Sequence, residues 1–292
     1  NNTANGMGAL FSNTTGDVNT ANGGGALRNN TTGNDNVASG ADALFSNTTG
    51  IGNTANGMGA LFSNTTGIYN AAFGKNAGYG DGTTVDQQSV IDNYATFLGY
   101  QASRDASVLN TTPLTNITAI GKNARVGASN TIVLGGTGAD AVNVGIGTAS
   151  PSEKLEVNGN IKATAFLYSS DRRLKHNIMT CEGALDKIEK FRGVSFIWNE
   201  DNSEDIGFIA QEVEKVEPRL VVTNKQTGLK SVKYGNIVAL LVEAMKEQNA
   251  KFERFQEDNR KTIDELQDQN KMLKAILCAQ SARLEFCLQA EN

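Results

Sequence analysis

The chain has 292 residues, 39% hydrophobic but only 7% aromatic, with 31 glycines and a formal net charge of −5. That charge gives no electrostatic reason to bind nucleic acid, and no apolar run reaches the roughly 18 residues that would suggest a membrane span. The charges are segregated: residues 1–160 are dominated by Asn, Thr, Gly and Ala, whereas most Lys, Arg, Asp and Glu lie beyond 151, so two different materials joined end to end are expected.

The N-terminus shows no basic stretch leading into an apolar one, so no secretion signal is read there. The chain opens in mid-repeat, as a fragment would. Cys181, Cys278 and Cys287 have neither disulfide-framework nor metal spacing, so reduced thiols and no metal or cofactor are expected.

Asn2, Asn19, Asn36, Asn53 and Asn70 recur every 17 positions, and the same period links Ala9, Ala26, Ala43, Ala60 and Ala77. The consensus is roughly NTANGxGALFSNTTGxx. A unit this short, with a single Ala-Leu-Phe step and no Pro, cannot bury a core alone, so stacking must supply it. With Ala-Leu marking an inward strand and Asn-Gly and Thr-Gly the corners, residues 1–80 are expected to coil as a parallel β-roll or β-helix. The strict register of Leu10, Leu27, Leu44 and Leu61 argues against a low-complexity linker.

Residues 81–116 lose the repeat and gain Tyr94, Phe97, Tyr100 and Pro113. A loop-rich insertion is expected, its aromatics serving local packing or touching a ligand. The stretch ITAIGKNARVGASNTIVLGG at 117–136 resembles the collagen-binding trimeric adhesin heads, whose left-handed parallel rolls repeat small-residue coils. That likeness covers the first 140 residues, with a longer period than those heads use. It makes 81–140 an irregular insertion followed by an adhesin-head-like roll.

From 141 to 170, apolar residues fall at period two: Val142, Val144 and Ile146, then Leu155 and Val157, then Ile161, Ala163 and Ala165. With turns at Ser150-Pro151 and Asn158-Gly159, half-buried strands closing a β shaft are expected.

Ser170 and Lys175 follow. A neutral lysine can take the proton of a serine hydroxyl as it attacks a carbonyl. Asp171 is a good N-cap, so the pattern predicts a helix just after it, with the Lys175 stem leaning back toward Ser170. The lysine must be discharged first; Arg172 and Arg173 push that way and Asp171 pushes back. His176 is read as a surface histidine. Beyond it, a helix over 183–190, strands FRGVSFIWN and IGFIAQEV with Trp198 and Phe208 in the core, a short helix over Gln211–Val216, and a hairpin turning at Thr227-Gly228 are expected. From Asn236, spacings of four and three connect Val238, Val242, Met245, Asn249, Phe252, Gln256, Asn259, Ile263, Leu266 and onward to Leu284 and Cys287. That is a heptad seam, and its Asn and Gln positions fit a trimer.

The words SSDRRLKHNI at 169–178, ALDKIEKFRGVSFIWN at 184–199, IGFIAQEVEKVEPRLV at 206–221 and VKYGNIVALLVEAMKEQ at 232–248 resemble the C-terminal intramolecular chaperone domain of phage tail fibres and tailspikes, the self-releasing family classed with the serine peptidases. The resemblance implies that Ser170 and Lys175 form a cleavage dyad, with Asp171 bordering the cut. It makes 171–292 a chaperone, an α+β core over 171–235 followed by a coiled coil over 236–292. The fold class expected is therefore a mainly β, trimeric repeat shaft followed by a small α+β module with a long trimeric coiled-coil helix. The function implied is a homotrimeric tail-fibre or receptor-binding protein of a virion, assembled in the producing cell's cytoplasm. Its partners are a host-surface glycan or protein along the shaft and other tail or baseplate proteins upstream. It is expected to cut itself once and to carry no turnover enzyme in the shaft. The alternative is a bacterial surface adhesin stalk using the same module, retained uncleaved.

Overall fold

The computed structural model describes residues 1–79, 92–105, 107–108, 112–225 and 227–280, and the chain divides into two compact units, Asn1–Ile161 and Lys162–Asn292. The first is mainly β; the second is α+β and ends in a long helix.

In the first unit the strands are β1 (Thr3–Asn5), β2 (Thr20–Asn22), β3 (Val37–Ser39), β4 (Thr54–Asn56), β5 (Ala71–Phe73), β6 (Asn93–Leu98), β7 (Ser103–Arg104), β8 (Thr115–Ile120), β9 (Arg125–Val126) and β10 (Thr131–Leu134). All but β7 and β9 join one sheet in the order β1-β2-β3-β4-β5-β6-β8-β10, and β7 pairs with β9. Every pairing is parallel, and the repeat sets the register: Ala4 lies opposite Ala21, Ala21 opposite Ala38, Ala38 opposite Ala55 and Ala55 opposite Ala72. The middle Ala of each strand points inward, and Ala21, Ala38, Ala55 and Ala72 are fully buried.

The Ala-Leu step also faces the core, but as a turn; the strand is the Thr-Ala-Asn step just ahead of the Asn-Gly corner. Leu27, Leu44 and Leu61 take left-handed backbone at φ 51°, 53° and 51°, a region that a non-glycine residue seldom occupies. Burial of the whole side chain at each coil offsets that strain. The corner glycine is obligatory for a different reason. A Cβ on Gly23, at φ 145°, would lie 2.4 Å from the carbonyl oxygen of Gly40 in the next coil.

The asparagines of the repeat do more than make turns. Asn36 Nδ2 donates to the Gly50 carbonyl at 2.8 Å, while its Oδ1 accepts from the Asn53 backbone amide one coil on at 3.0 Å. A second buried column runs from Asn64 Nδ2 to Asn47 Oδ1 at 2.9 Å, and from Asn47 Nδ2 to Asn30 Oδ1 at 2.8 Å. Buried backbone groups at the corners thus find partners inside the coil stack.

Of the loop-rich excursion expected over 81–116, residues 81–91, 106 and 109–111 lie outside the described residues, and much of the described part is regular. β6 returns to the sheet beside β5, with Ala72 opposite Phe97, and Phe97 is core. The local packing expected of Tyr94 takes the form of an exposed ring stacked on Tyr69, centroids 5.5 Å apart. The coils after the repeat vary in length: Ala95 N donates to Asn70 across 25 residues, Leu114 N to Asp92 across 22, and Asn116 Nδ2 to Asn130 across 14. Beneath β6, Arg104 and Asp92 form a 2.8 Å ion pair with both side chains 1% exposed. Burial pushes the Asp92 carboxyl up, against the opposing pull of the Leu114 amide and the Arg104 guanidinium.

β11 (Val144–Ile146) pairs in parallel with β12 (Leu155–Val157). The strand expected through Ile161, Ala163 and Ala165 does not form, and those residues are exposed. Period-two patterning marks which face a strand would bury but supplies no neighbouring edge to hold it.

The second unit contains α1 (Ala184–Ile188), an antiparallel hairpin of β13 (Gly193–Ile197) and β14 (Glu204–Phe208), α2 (Ala210–Val216), a hairpin of β15 (Val221–Thr223) and β16 (Lys230–Val232), and α3 (Tyr234–Gln280). Its core gathers Leu185, Val213, Leu220, Ile237, Leu240 and Ala244, with Phe208 packed against it. Trp198, expected in that core, is exposed instead. It sits edge-on to Phe196, and its indole N–H donates to Asp205 at 3.3 Å. The two-stranded hairpin offers one covered face only, and Trp198 falls just past its end.

Along α3 the residues that dock on the core are Ile237, Leu240 and Ala244, whereas the seam residues Val238, Val242, Met245, Phe252, Ile263 and Leu266 are exposed. Two adjacent stripes on one helix therefore have different roles. Leu284 and Cys287 lie outside the described residues. Cys181 is free and half-buried, and Cys278 is disulfide-bonded, contrary to the reduced thiols expected. Among the described residues no helix is long and apolar enough to cross a membrane.

Candidate active site

Ser170 and Lys175 are brought together: Lys175 Nζ donates to Ser170 Oγ at 2.5 Å. The local structure is not the predicted helix. A single 3-10 turn covers Arg172–Leu174, and Lys175 follows it in extended backbone at φ −130° and ψ 148°. Asp171 does cap, as expected. Its Oδ1 accepts from the Arg173 amide at 2.8 Å and from Arg173 Nε at 3.0 Å, and its Oδ2 accepts from Arg173 Nη2 at 2.9 Å. A tight turn closes the span from Ser170 to Lys175 as a helical turn would, because capping fixes the chain direction just after the serine.

The electrostatics of the turn follow from that fork. The Arg173 side chain, then its amide, hold the Asp171 carboxyl below the usual carboxylate range. Asp171 is thus engaged by Arg173, one charge compensating the other beside the lysine. Ser170, Lys175 and His176 are all exposed. Of the three, His176 behaves as the surface residue expected.

Three supports were not visible in the sequence. Tyr168, two residues ahead of the serine, lies over Gly235 in the first turn of α3; a Cβ at Gly235 would come 3.2 Å from the Tyr168 hydroxyl. Glu247, far along α3, accepts from the Ala184 amide at 3.0 Å and the Leu185 amide at 2.9 Å, capping α1. Glu217 is a hub: Arg219 Nε donates to it at 2.6 Å and Lys187 Nζ at 3.1 Å, and Arg219 first, then Lys187, bring its pKa down to about 2. The isolated helical glycine was the one sequence signal available for the Tyr168 contact. Among the described residues no group of His, Cys, Asp and Glu is placed to hold a metal ion.

Residues 170–222 match the family model described as the chaperone of endosialidase, of peptidase family S74. The chain carries that chaperone segment. It begins at Ser170, the first residue of the pair described above. Curated relatives are long tail fiber proteins Gp37. The protein of Salmonella phage S16 is 37% identical over 119 residues, covering 37% of this chain and 14% of that protein. Those of Enterobacteria phages K3 and T2 are each 34% identical over 105 residues, covering 33% of this chain and 8% of each protein. The chain therefore spans a small part of the length of these relatives.

Proposed function

We propose that the chain belongs to a homotrimeric phage tail fibre, a shaft of residues 1–170 followed by a chaperone of residues 171–292 that aligns three chains and then releases itself. The observation that carries the cleavage is the 2.5 Å hydrogen bond between Lys175 and Ser170 at the head of the chaperone segment. As an ammonium, Lys175 donates to the hydroxyl; discharged, it accepts the serine proton while Oγ attacks a carbonyl carbon, and it returns that proton to the departing amide nitrogen. The ester left behind is released by water. Burial or neighbouring positive charge discharges a lysine, and this exposed lysine gains burial when an assembled neighbour covers the turn.

Attack on the Ser169 carbonyl closes a five-membered ring; attack on its own carbonyl closes a strained four-membered one. Cleavage after Ser170, which the family resemblance favours, therefore calls for a serine from another subunit. The wild-type protein is expected to separate into shaft and module, and Ser170→Ala and Lys175→Ala are each expected to leave a full-length trimer. Intact mass of the released module identifies the bond, since it begins with Ser170 or Asp171. Full-length protein persisting in wild-type trimers would sink the reading.

The exposure of the pair favours one second reading, in which the module is a retained clamp on a fibre or on a bacterial surface adhesin stalk. Host-receptor contact along the shaft and tail proteins upstream belong to the proposal through the tail-fibre resemblance.

A further inference from the structure

The outward face of the eight-stranded sheet changes character along the stack. One outward row runs through cross-strand neighbours Asn5, Asn22, Ser39 and Asn56, then continues as Phe73, Leu98, Ile120 and Leu134. Those last four are 42%, 46%, 36% and 47% exposed. Ile132, two residues from Leu134 on β10 and likewise exposed, extends the same apolar surface. Nothing in the coil requires this. The polar rungs pair in the same parallel fashion, so apolar side chains at these positions are not needed to pair the strands.

We infer that this apolar ladder is the surface on which a second copy of the chain seats against the shaft. The argument rests on the assembly reading above. An exposed apolar row of this kind is the sort of surface patch that often proves functional. Its rungs repeat at the strand spacing, about 4.8 Å, and a second copy in register presents the same rungs at the same spacing, which an unrelated partner matches only by accident. No charged residue interrupts the four rungs. The ladder is also small: a stable pair of proteins needs about 800 Å² from each partner, and a handful of half-exposed side chains offers a few hundred. A contact that weak forms when something else already holds the chains together. That is the task assigned to the C-terminal module.

The test places single cysteines at Leu98→Cys and Ile120→Cys on the ladder and at Thr32→Cys, an exposed position elsewhere in the coil. Maleimide labelling of the full chain is followed by peptide mass mapping, with the mass of the same sample measured by light scattering. A multiple of the chain mass, with the ladder cysteines labelled at least about tenfold more slowly than Thr32→Cys, supports the inference. Assembled protein with ladder and control labelled equally fast overturns it and leaves the assembly reading standing. A monomer with a reactive ladder overturns both. Protection in a monomer means another part of the same chain covers the face, which also overturns it.

Discussion

Glu217 shows how much one side chain organises in the second unit. It is 9% exposed and takes hydrogen bonds from Arg219 and Lys187, which tie the end of α2 to α1. Because its pKa falls to about 2 in the folded state from about 4.3 when unfolded, the stabilisation is present above the unfolded value and is lost as pH falls through about 4 toward 2. Glu217→Gln is expected to lower module stability at neutral pH by about 1.5–3 kcal/mol, the worth of hydrogen bonds to a charged group. It should also flatten the acid limb of stability between about pH 5 and 2. Urea unfolding across that range checks both; an unchanged acid limb would show that other carboxylates set it.

At the scale of elements, the shaft coil is held by asparagine columns as much as by apolar contact. Asn53 Nδ2 donates to the Gly67 carbonyl at 2.8 Å and its Oδ1 accepts from the Asn70 amide at 2.9 Å. Asn53→Ala orphans both buried backbone groups and is expected to cost about 1–3 kcal/mol for each. Thermal unfolding of the shaft is the measurement, and a loss below about 0.5 kcal/mol, the size of an ordinary surface change, would refute the column's role. The dyad turn belongs to the same scale. Its geometry comes from one capping aspartate and one 3-10 turn, so five residues bring Ser170 to Lys175 without any helix.

For the whole molecule, the stacked coils from β1 to β10 place their strand pairings 14 to 25 residues apart, while the seam of α3 recurs every three or four residues. Non-local pairing is slow and prone to misassembly, and local helical contacts form first. In the proposed trimer, three such helices would hold the shafts at high effective concentration. The full chain is therefore expected to run as a homotrimer in light scattering. Deleting residues 236–292 is expected to leave the shaft insoluble or misassembled; soluble trimeric shaft from a chain ending at 170 would remove the chaperone role. With the proposed release, the shaft's persistence would become kinetic.

Periodicity carried most of what the sequence determined. The 17-residue repeat set the coil, the strand register and the buried alanines and leucines, because identical units stack only in register. The four-three spacing set α3, and Ser170, Asp171 and Lys175 were legible because a cap and a short span are local. What the tertiary structure alone decided is non-local. Phe97 rejoined the core because β6 found the edge of β5, across a break in the repeat that hid the pairing. Trp198 stayed outside because the hairpin it follows covers one face only. The Arg104–Asp92 pair, the Glu247 cap on α1 and the Tyr168 contact with Gly235 join residues 12, 63 and 67 positions apart. Apart from the isolated helical glycine at 235, no pattern in a linear text marks such contacts, since they exist only once packing has brought distant segments together.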